Sequence, residues 1–319
     1  MTAPKVNFKI VRNPSEPHYW PRIRELAIHN ESWFNTPSDY DIWIQGFGQD
    51  DFSLWVAIDI DKDVAIGSAT AANYRKLDGS PLMTFIGMVM VDPAYRGAGI
   101  GIELSKKVME KDTGFPNKGL IAMPSMAERY RKKFGFVLQP EKNMVDVEVA
   151  TKDLKLSAVE SPDFIVKEAT EADWDKILAY DRELVKETQR DKFMKLYCTQ
   201  PDSYYRIATT PDESKILGVC LIRTLPETKL LYTGPFYAES EPIAVALFTS
   251  AFQAIRDPQK YESVRFAGYH DSPTVDFVKK IAPGVEHHFS HHFTQFTERI
   301  IEIPRPKIFS ITENDVTHM

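Results

Sequence analysis

Cysteine is nearly absent: Cys198 and Cys220 are the whole supply in 319 residues. That excludes a disulfide framework and a cysteine-rich metal centre, and points to a reducing compartment, the cytoplasm. Long apolar runs are missing, so no membrane span is expected. Residues 1–12 lack the apolar core of a secretory leader. A basic surplus is missing too. The chain has 39 Lys and Arg against 45 Asp and Glu, a net charge of -6, and no cationic face for nucleic acid is implied. Low-complexity tracts and short-period repeats do not occur. What remains is ordinary globular composition, 43% hydrophobic and 26% charged, in a length that suits two domains.

Hydrophobic patterning divides the chain into two similar runs. In the first, strands are predicted over Val6–Val11, Leu54–Ile60, Val64–Tyr74, Leu82–Val91 and Leu120–Met123. Helices are predicted over Pro17–His29, Ser38–Phe47 with Ser38 as N-cap, Gly99–Asp112 and Ser125–Phe134. Met144–Val149 alternates apolar and polar residues and reads as the last strand of a first unit. The polar passage Thr151–Pro162 reads as a linker. The second run gives strands over Phe164–Lys167, Tyr204–Thr209, Ile216–Arg223, Lys229–Thr233 and Ser263–Gly268. Its helices fall on Ala172–Tyr180, Arg182–Tyr197, Pro242–Ile255 and Thr274–Ile281. The expected domains are residues 1–152 and 160–305, two copies of one plan.

The chemistry concentrates in Gly87–Gly101, where a buried strand enters a proline turn and a glycine-rich loop opens an amphipathic helix. Free amides at a helix N-terminus bind anions. Gly97, Gly99 and Gly101 let the backbone approach one without Cβ clashes. No Gly-Lys-Ser/Thr follows, and the glycine spacing is not that of a dinucleotide fingerprint. A plain strand-to-helix connection has the same local geometry.

The run Val91-x-Pro93-x-x-Arg96-Gly97-x-Gly99-Ile100-Gly101 resembles the signature of the GNAT family of N-acetyltransferases, and Ala127 with Phe134-Gly135-Phe136 resembles its fourth-helix motif. The resemblance covers roughly residues 5–150. It implies an α+β chain of two GNAT-like domains, each a mixed, mostly antiparallel sheet flanked by helices. It implies a transferase that moves an acetyl group from acetyl-CoA to an amine by direct attack, without a metal. Val89, Met90 and Val91 would hold the pantetheine arm, and the Val89 amide would stabilise the oxyanion. Arg96, Gly97, Ala98, Gly99, Ile100 and Gly101 would hold the pyrophosphate. The acceptor is a small-molecule or protein amine, and the oligomeric state is open. The alternative is a non-catalytic acyl-CoA-binding or interaction protein of the same fold.

The pattern departs from the family in places. The tyrosine that protonates the thiolate is expected at position 131. Arg131 stands there, and Tyr130 lies one step earlier, a rotation of about 100° on a helix. Three readings stand: Tyr130 reaches the sulfur on a shifted helix, Arg131 stabilises the thiolate, or Tyr130 only packs. Ser125 can substitute for a family asparagine displaced by Pro124. No general base is visible. Glu31, Asp39 and Asp41 qualify by position, against the plainer reading of solvated carboxylates. The second half carries no phosphate loop; Glu239, Glu241 and Pro242 stand at the matching helix start, so it resembles a degenerate copy that shapes the acceptor site. Aromatic residues between Trp20 and Trp55 read as a packed layer or a cation-holding roof. His287, His288, His291 and His292 read as surface or interface histidines on a strand. Asp181 and Arg190 read as a structural pair.

Overall fold

The computed structural model describes residues 5–110, 114–317 and 319. The first half runs β1 (Phe8–Arg12), α1 (Tyr19–Leu26), α2 (Asp39–Phe47), β2 (Phe52–Asp59), β3 (Val64–Lys76), β4 (Pro81–Val91), α3 (Ile100–Met109), β5 (Lys118–Ala122), α4 (Pro124–Phe134) and β6 (Met144–Ala150). The second runs β7 (Ile165–Glu168), α5 (Trp174–Val185), β8 (Thr188–Gln189), α6 (Asp191–Cys198), β9 (Ser203–Thr209), β10 (Ile216–Leu225), β11 (Leu230–Ala238), α7 (Glu241–Ala254), β12 (Ser263–Tyr269), α8 (Thr274–Ile281), β13 (Phe289–Phe296) and β14 (Ile308–Ser310). With β8 and β14 set aside, the second order repeats the first element by element. The fold is α+β, two GNAT-like units whose mixed, mostly antiparallel sheets are flanked by helices. Among the described residues, no helix is long and apolar enough to cross a membrane.

Local physics explains the elements and the departures. In α3, Ile100, Leu104 and Val108 form the expected buried stripe, while the predicted helix end at Asp112 lies outside the described residues. Ser38 occupies the N-cap position of α2 without capping it; its hydroxyl shares a hydrogen bond with Thr36 instead. The predicted helix Arg182–Tyr197 is two helices. Lys186 turns the chain at φ +51°, and β8 then pairs with the end of β3. Apolar spacing is helical on both sides of that break, so periodicity alone could not locate it.

The strand order across the sheet is β1-β2-β3-β4-β5-β13-β6-β12-β11-β10-β9-β7. The two units have traded last strands. β13 pairs through Phe293–Phe296 with β5 and through Phe289–His292 with β6. β6 pairs along its whole length with β12. The alternating run at Met144–Val149 therefore closes the second unit, not the first.

This arrangement leaves a matched gap in each unit. Parallel strands β4 and β5 bond only between Thr84–Ile86 and Lys118–Leu120. Beyond that point β4 bulges: Thr70 stands opposite Gly87, but Ser68 stands opposite Met90. Met88 adopts φ +47°, and its carbonyl accepts from the Ser68 hydroxyl at 2.9 Å. An extra residue of this kind bends a strand away from its neighbour. The second unit repeats the device. β11 and β12 bond only from Leu230–Tyr232 to Ser263–Arg265, and β11 carries an equivalent bulge at Gly234-Pro235.

The second gap is filled by the chain itself. β14 lies antiparallel to β11, and Ile311 N donates across to Ala267 O of β12 at 2.7 Å. A Cβ on Gly234 would stand 1.9 Å from Ile311 O. The segment then passes into the first unit, where Thr70 Oγ1 donates to Asp315 O at 3.1 Å and Tyr74 Oη donates to Val316 O at 2.8 Å. It thus extends beyond residue 305, where the second domain was expected to end.

Candidate active site

The first gap opens into a cavity of about 630 Å³. One wall is the edge of β4 past the bulge, including Val89, Met90 and Val91. Among the described residues, their β5-facing side has no strand partner, because that ladder stops at Ile86. The expected pantetheine-binding edge is therefore free to pair with an extended ligand.

The loop after β4 begins with Asp92, whose carboxylate accepts from Ala94 N at 2.9 Å. Gly97 and Gly99 follow at φ +94° and +86°, a region glycine enters without Cβ strain. The amides of Gly97, Gly99, Ile100 and Gly101 carry no hydrogen bond among the described residues, and all four residues line the cavity. Amides left free at the start of α3 suit a diphosphate. Ala98 corrects the expected unbroken row. Its N–H donates to Tyr95 O at 3.3 Å, continuing the preceding turn, and it does not line the cavity. Arg96 fixes the loop: Nε donates to Val91 O at 3.1 Å and Nη2 to Glu31 at 2.6 Å.

The cavity floor comes from distant segments. Asp146 of β6 pairs with Arg265 of β12 at 2.7 Å. Arg223 of β10 pairs with Asp39 of α2 at 2.7 Å, joining the two halves. Tyr232, His292 and the segment Glu313–Asp315 complete it. Burial pushes the Asp315 carboxyl up to about 6, assisted by Asp39 and opposed by its bond from Asn35 and by Arg223 and Arg265. Burial and Asp315 raise Glu313 well above the usual carboxylate range. Burial lowers His292 despite Asp146, favouring the neutral imidazole.

Residues 20–136 match the model of the acetyltransferase (GNAT) family. This stretch is a GNAT domain. An uncharacterized Caenorhabditis elegans protein, F36G3.2, is 24% identical over 247 residues, which cover 76% of this chain and 75% of that one. A Pyrococcus horikoshii protein described as a candidate acetyltransferase shares the fold at TM-score 0.66 and 15% identity, over 97% of this chain and 96% of that one. A tandem GNAT protein from the clavulanic acid biosynthesis pathway gives TM-score 0.58 at 12% identity, over 91% and 97%. The whole chain thus shares its fold with tandem GNAT proteins, and its second unit carries no glycine-rich loop at the start of α7.

In this GNAT domain Tyr130 lines the cleft, and burial raises its hydroxyl pKa, keeping it protonated. The expectation that Arg131 faces the thiolate is corrected. Its side chain is exposed, reaches toward Glu128 and Val137 O, and does not line the cleft. The one-step offset is accommodated by the end of α4, where the N–H groups of Gly135 and Phe136 both turn back to Tyr130 O and the Phe136 ring packs on the tyrosine. Ser125 also lines the cleft. Asp41 is exposed, Glu31 is held by Arg96, and Asp39 is buried in its ion pair rather than solvated.

Sequence reasoning missed Asp146, Arg223, Tyr232, Arg265 and Glu313–Asp315. The signal for the last was a run of four polar residues, Thr312–Asp315, set between apolar Ile311 and Val316. Of the aromatic layer, Trp33 and Phe34 reach the cleft, and Phe34 stacks under the Arg265 guanidinium at 4.8 Å. Of the histidine run, His287 and His288 precede β13 and His291 and His292 lie on it; His292 alone reaches the cleft, and His291 pairs with His270 at 3.0 Å. Among the described residues, no cluster of three His, Cys, Asp or Glu is placed to hold a metal. At the start of α7, Glu239 and Glu241 pair with Lys307 and Lys280.

Proposed function

We propose that the chain is an acetyl-CoA-dependent N-acetyltransferase that binds one cofactor, in residues 1–152, while residues 160–305 wall the acceptor side. The matched gaps carry this reading. One is open, with a free strand edge leading to four free amides. The other holds β14 along the corresponding edge. The pantetheine would lie along Val89–Val91 with its diphosphate on Gly97, Gly99, Ile100 and Gly101. The Val89 N–H would then face the developing oxyanion. Positioning an amine against the thioester supplies most of the acceleration, with Tyr130 donating a proton to the departing sulfur.

Isothermal titration with acetyl-CoA should return one equivalent per chain; two equivalents, or none, would defeat the assignment. Tyr130→Phe should lower kcat by about 10–100-fold while leaving the KM for acetyl-CoA nearly unchanged, as followed by thiol release. A variant that kept its kcat would reduce Tyr130 to a packing residue. Binding of one equivalent without turnover of any amine would favour the non-catalytic acyl-CoA-binding reading.

A further inference from the structure

The cavity floor holds unmet polar groups. Three buried side-chain atoms of its lining residues lack a partner among the described residues, Arg223 Nε, Tyr232 Oη and Asn314 Oδ1, while His292 Nδ1 lies 3.5 Å from Asp146 Oδ2. Arg223 and Tyr232 are only 2% and 5% exposed. Buried polar groups in native proteins are nearly always paired, so three orphans around one cavity point to a ligand that satisfies them. Their demands are mixed. Arg223 Nε needs an acceptor, Asn314 Oδ1 needs a donor, and a hydroxyl takes either.

The charges are unmatched as well. Arg223 is answered by Asp39, and Arg265 by Asp146. Among the described residues, Glu313 and Asp315 receive only a backbone N–H from Val316 and the amide of Asn35, at 2.6 and 2.7 Å. The Asp315 carboxylate, with the raised Glu313 carboxyl beside it, favours a positively charged guest and disfavours one that brings its own carboxylate. The backbone of Asp315 also lies against the β4 bulge. A Cβ on Gly87 would stand 1.9 Å from Asp315 O, next to the edge where the thioester is expected.

We propose that this floor is the acceptor subsite, that it takes a compact hydroxylated amine as its ammonium, and that Asp315 receives the proton; the proposal rests on the acetyltransferase reading above. The ammonium gives one proton to the Asp315 carboxylate. The freed lone pair forms the N–C bond to the thioester carbon as the C–S bond breaks. Tyr130 protonates the sulfur and regains its proton from the second N–H of the adduct. The Asp315 proton passes to water, so the products are amide, free thiol and one proton. A cavity of about 630 Å³ shared with the acyl arm suits a small molecule rather than a polypeptide chain.

The test uses the full chain and acetyl-CoA. Thiol release is followed with ethanolamine, glucosamine, serine and a lysine-containing peptide. Ethanolamine or glucosamine should be turned over in preference to serine and the peptide. With Asp39, Glu313, Arg223 and Arg265 around Asp315, kcat/KM should fall as pH drops through about 6. Asp315→Asn should lower kcat by about 100-fold or more and remove that acidic limb, while calorimetry still returns one acetyl-CoA. Asp315→Glu should keep part of the rate and the limb. Asp315→Asn should also raise Tm at pH 7. Burial lifts the folded carboxyl above its unfolded value, so stability falls as pH rises between the two, and the amide escapes that loss. A preference for serine or the peptide, an Asp315→Asn variant with unaltered rate and pH profile, or cofactor binding with no amine turned over would overturn the proposal. Failure of the parent chain to bind acetyl-CoA would remove the acetyltransferase reading and this inference together.

Discussion

Gly99→Glu should bind no measurable acetyl-CoA while the chain stays folded. Gly99 is the N-cap of α3 at φ +86°, and nothing lies within 4 Å of the position its Cβ would take. The first carbon of the new side chain meets no steric obstacle in the free protein. The cost to folding is the left-handed backbone, about 1–2 kcal/mol. The cost to binding is far larger. A carboxylate at this position competes for the amides of Gly97, Ile100 and Gly101 and repels a diphosphate at close range. Affinity should fall at least ~100-fold by titration calorimetry. Gly99→Ala separates the effects: it shares the backbone strain without the charge and should retain most of the affinity. If Gly99→Glu bound the cofactor like the parent, the diphosphate would have to sit elsewhere.

The contrast between these local effects and the long-range floor explains what the sequence made legible. An anion loop is a local object. Its glycines, proline and helix start are neighbours in sequence, and the physical demand on each can be read in place. Ala98 escaped that reading because its N–H is spent on Tyr95 O, a bond set by the turn geometry and not by its side chain. The floor is the opposite case. Asp39 and Arg223 lie 184 residues apart, and Asp146 and Arg265 lie 119 apart. Nothing local marks a carboxylate as the partner of a distant guanidinium.

The sheet follows the same logic. Alternation in Met144–Val149 reported correctly that a strand with two faces was present. It carried no information about which strand would pair with it, so the exchange between β6 and β13 was invisible. β14 is three residues long, too short for any periodicity to show, and its place is fixed by the gap it fills. Element order survived the exchange, because each traded strand occupies the position its counterpart would have held. That is why the two-unit plan was legible while the connection between the units was not.

Arg190→Met should be strongly destabilising, although Arg190 does not line the cleft. Its guanidinium is buried and donates twice to Asp181, at 2.7 and 2.9 Å. It also donates to Thr312 Oγ1 at 3.3 Å and to Met319 O at 2.9 Å, pinning the segment that carries Glu313 and Asp315. Methionine has similar length and fills much of the space, so packing changes little. What changes is that Asp181, 4% exposed, loses its counter-charge inside the protein. Breaking a buried pair from one side typically costs about 3–5 kcal/mol, which for a chain of this size lowers Tm by on the order of 10 °C. The double variant Asp181→Leu with Arg190→Met should recover most of the stability, since a well-packed apolar pair avoids the desolvation that the ion pair incurs. It should not recover activity. Thr312 Oγ1 and Met319 O lose the Arg190 bonds in both variants and keep only those to Tyr237 and Thr317, so hydrogen exchange at residues 311–317 should quicken even where Tm is restored. Thermal denaturation, exchange and thiol release on the three proteins separate the roles. If the double variant regained full turnover, Asp315 would not depend on this anchor, and the pair would serve the core alone.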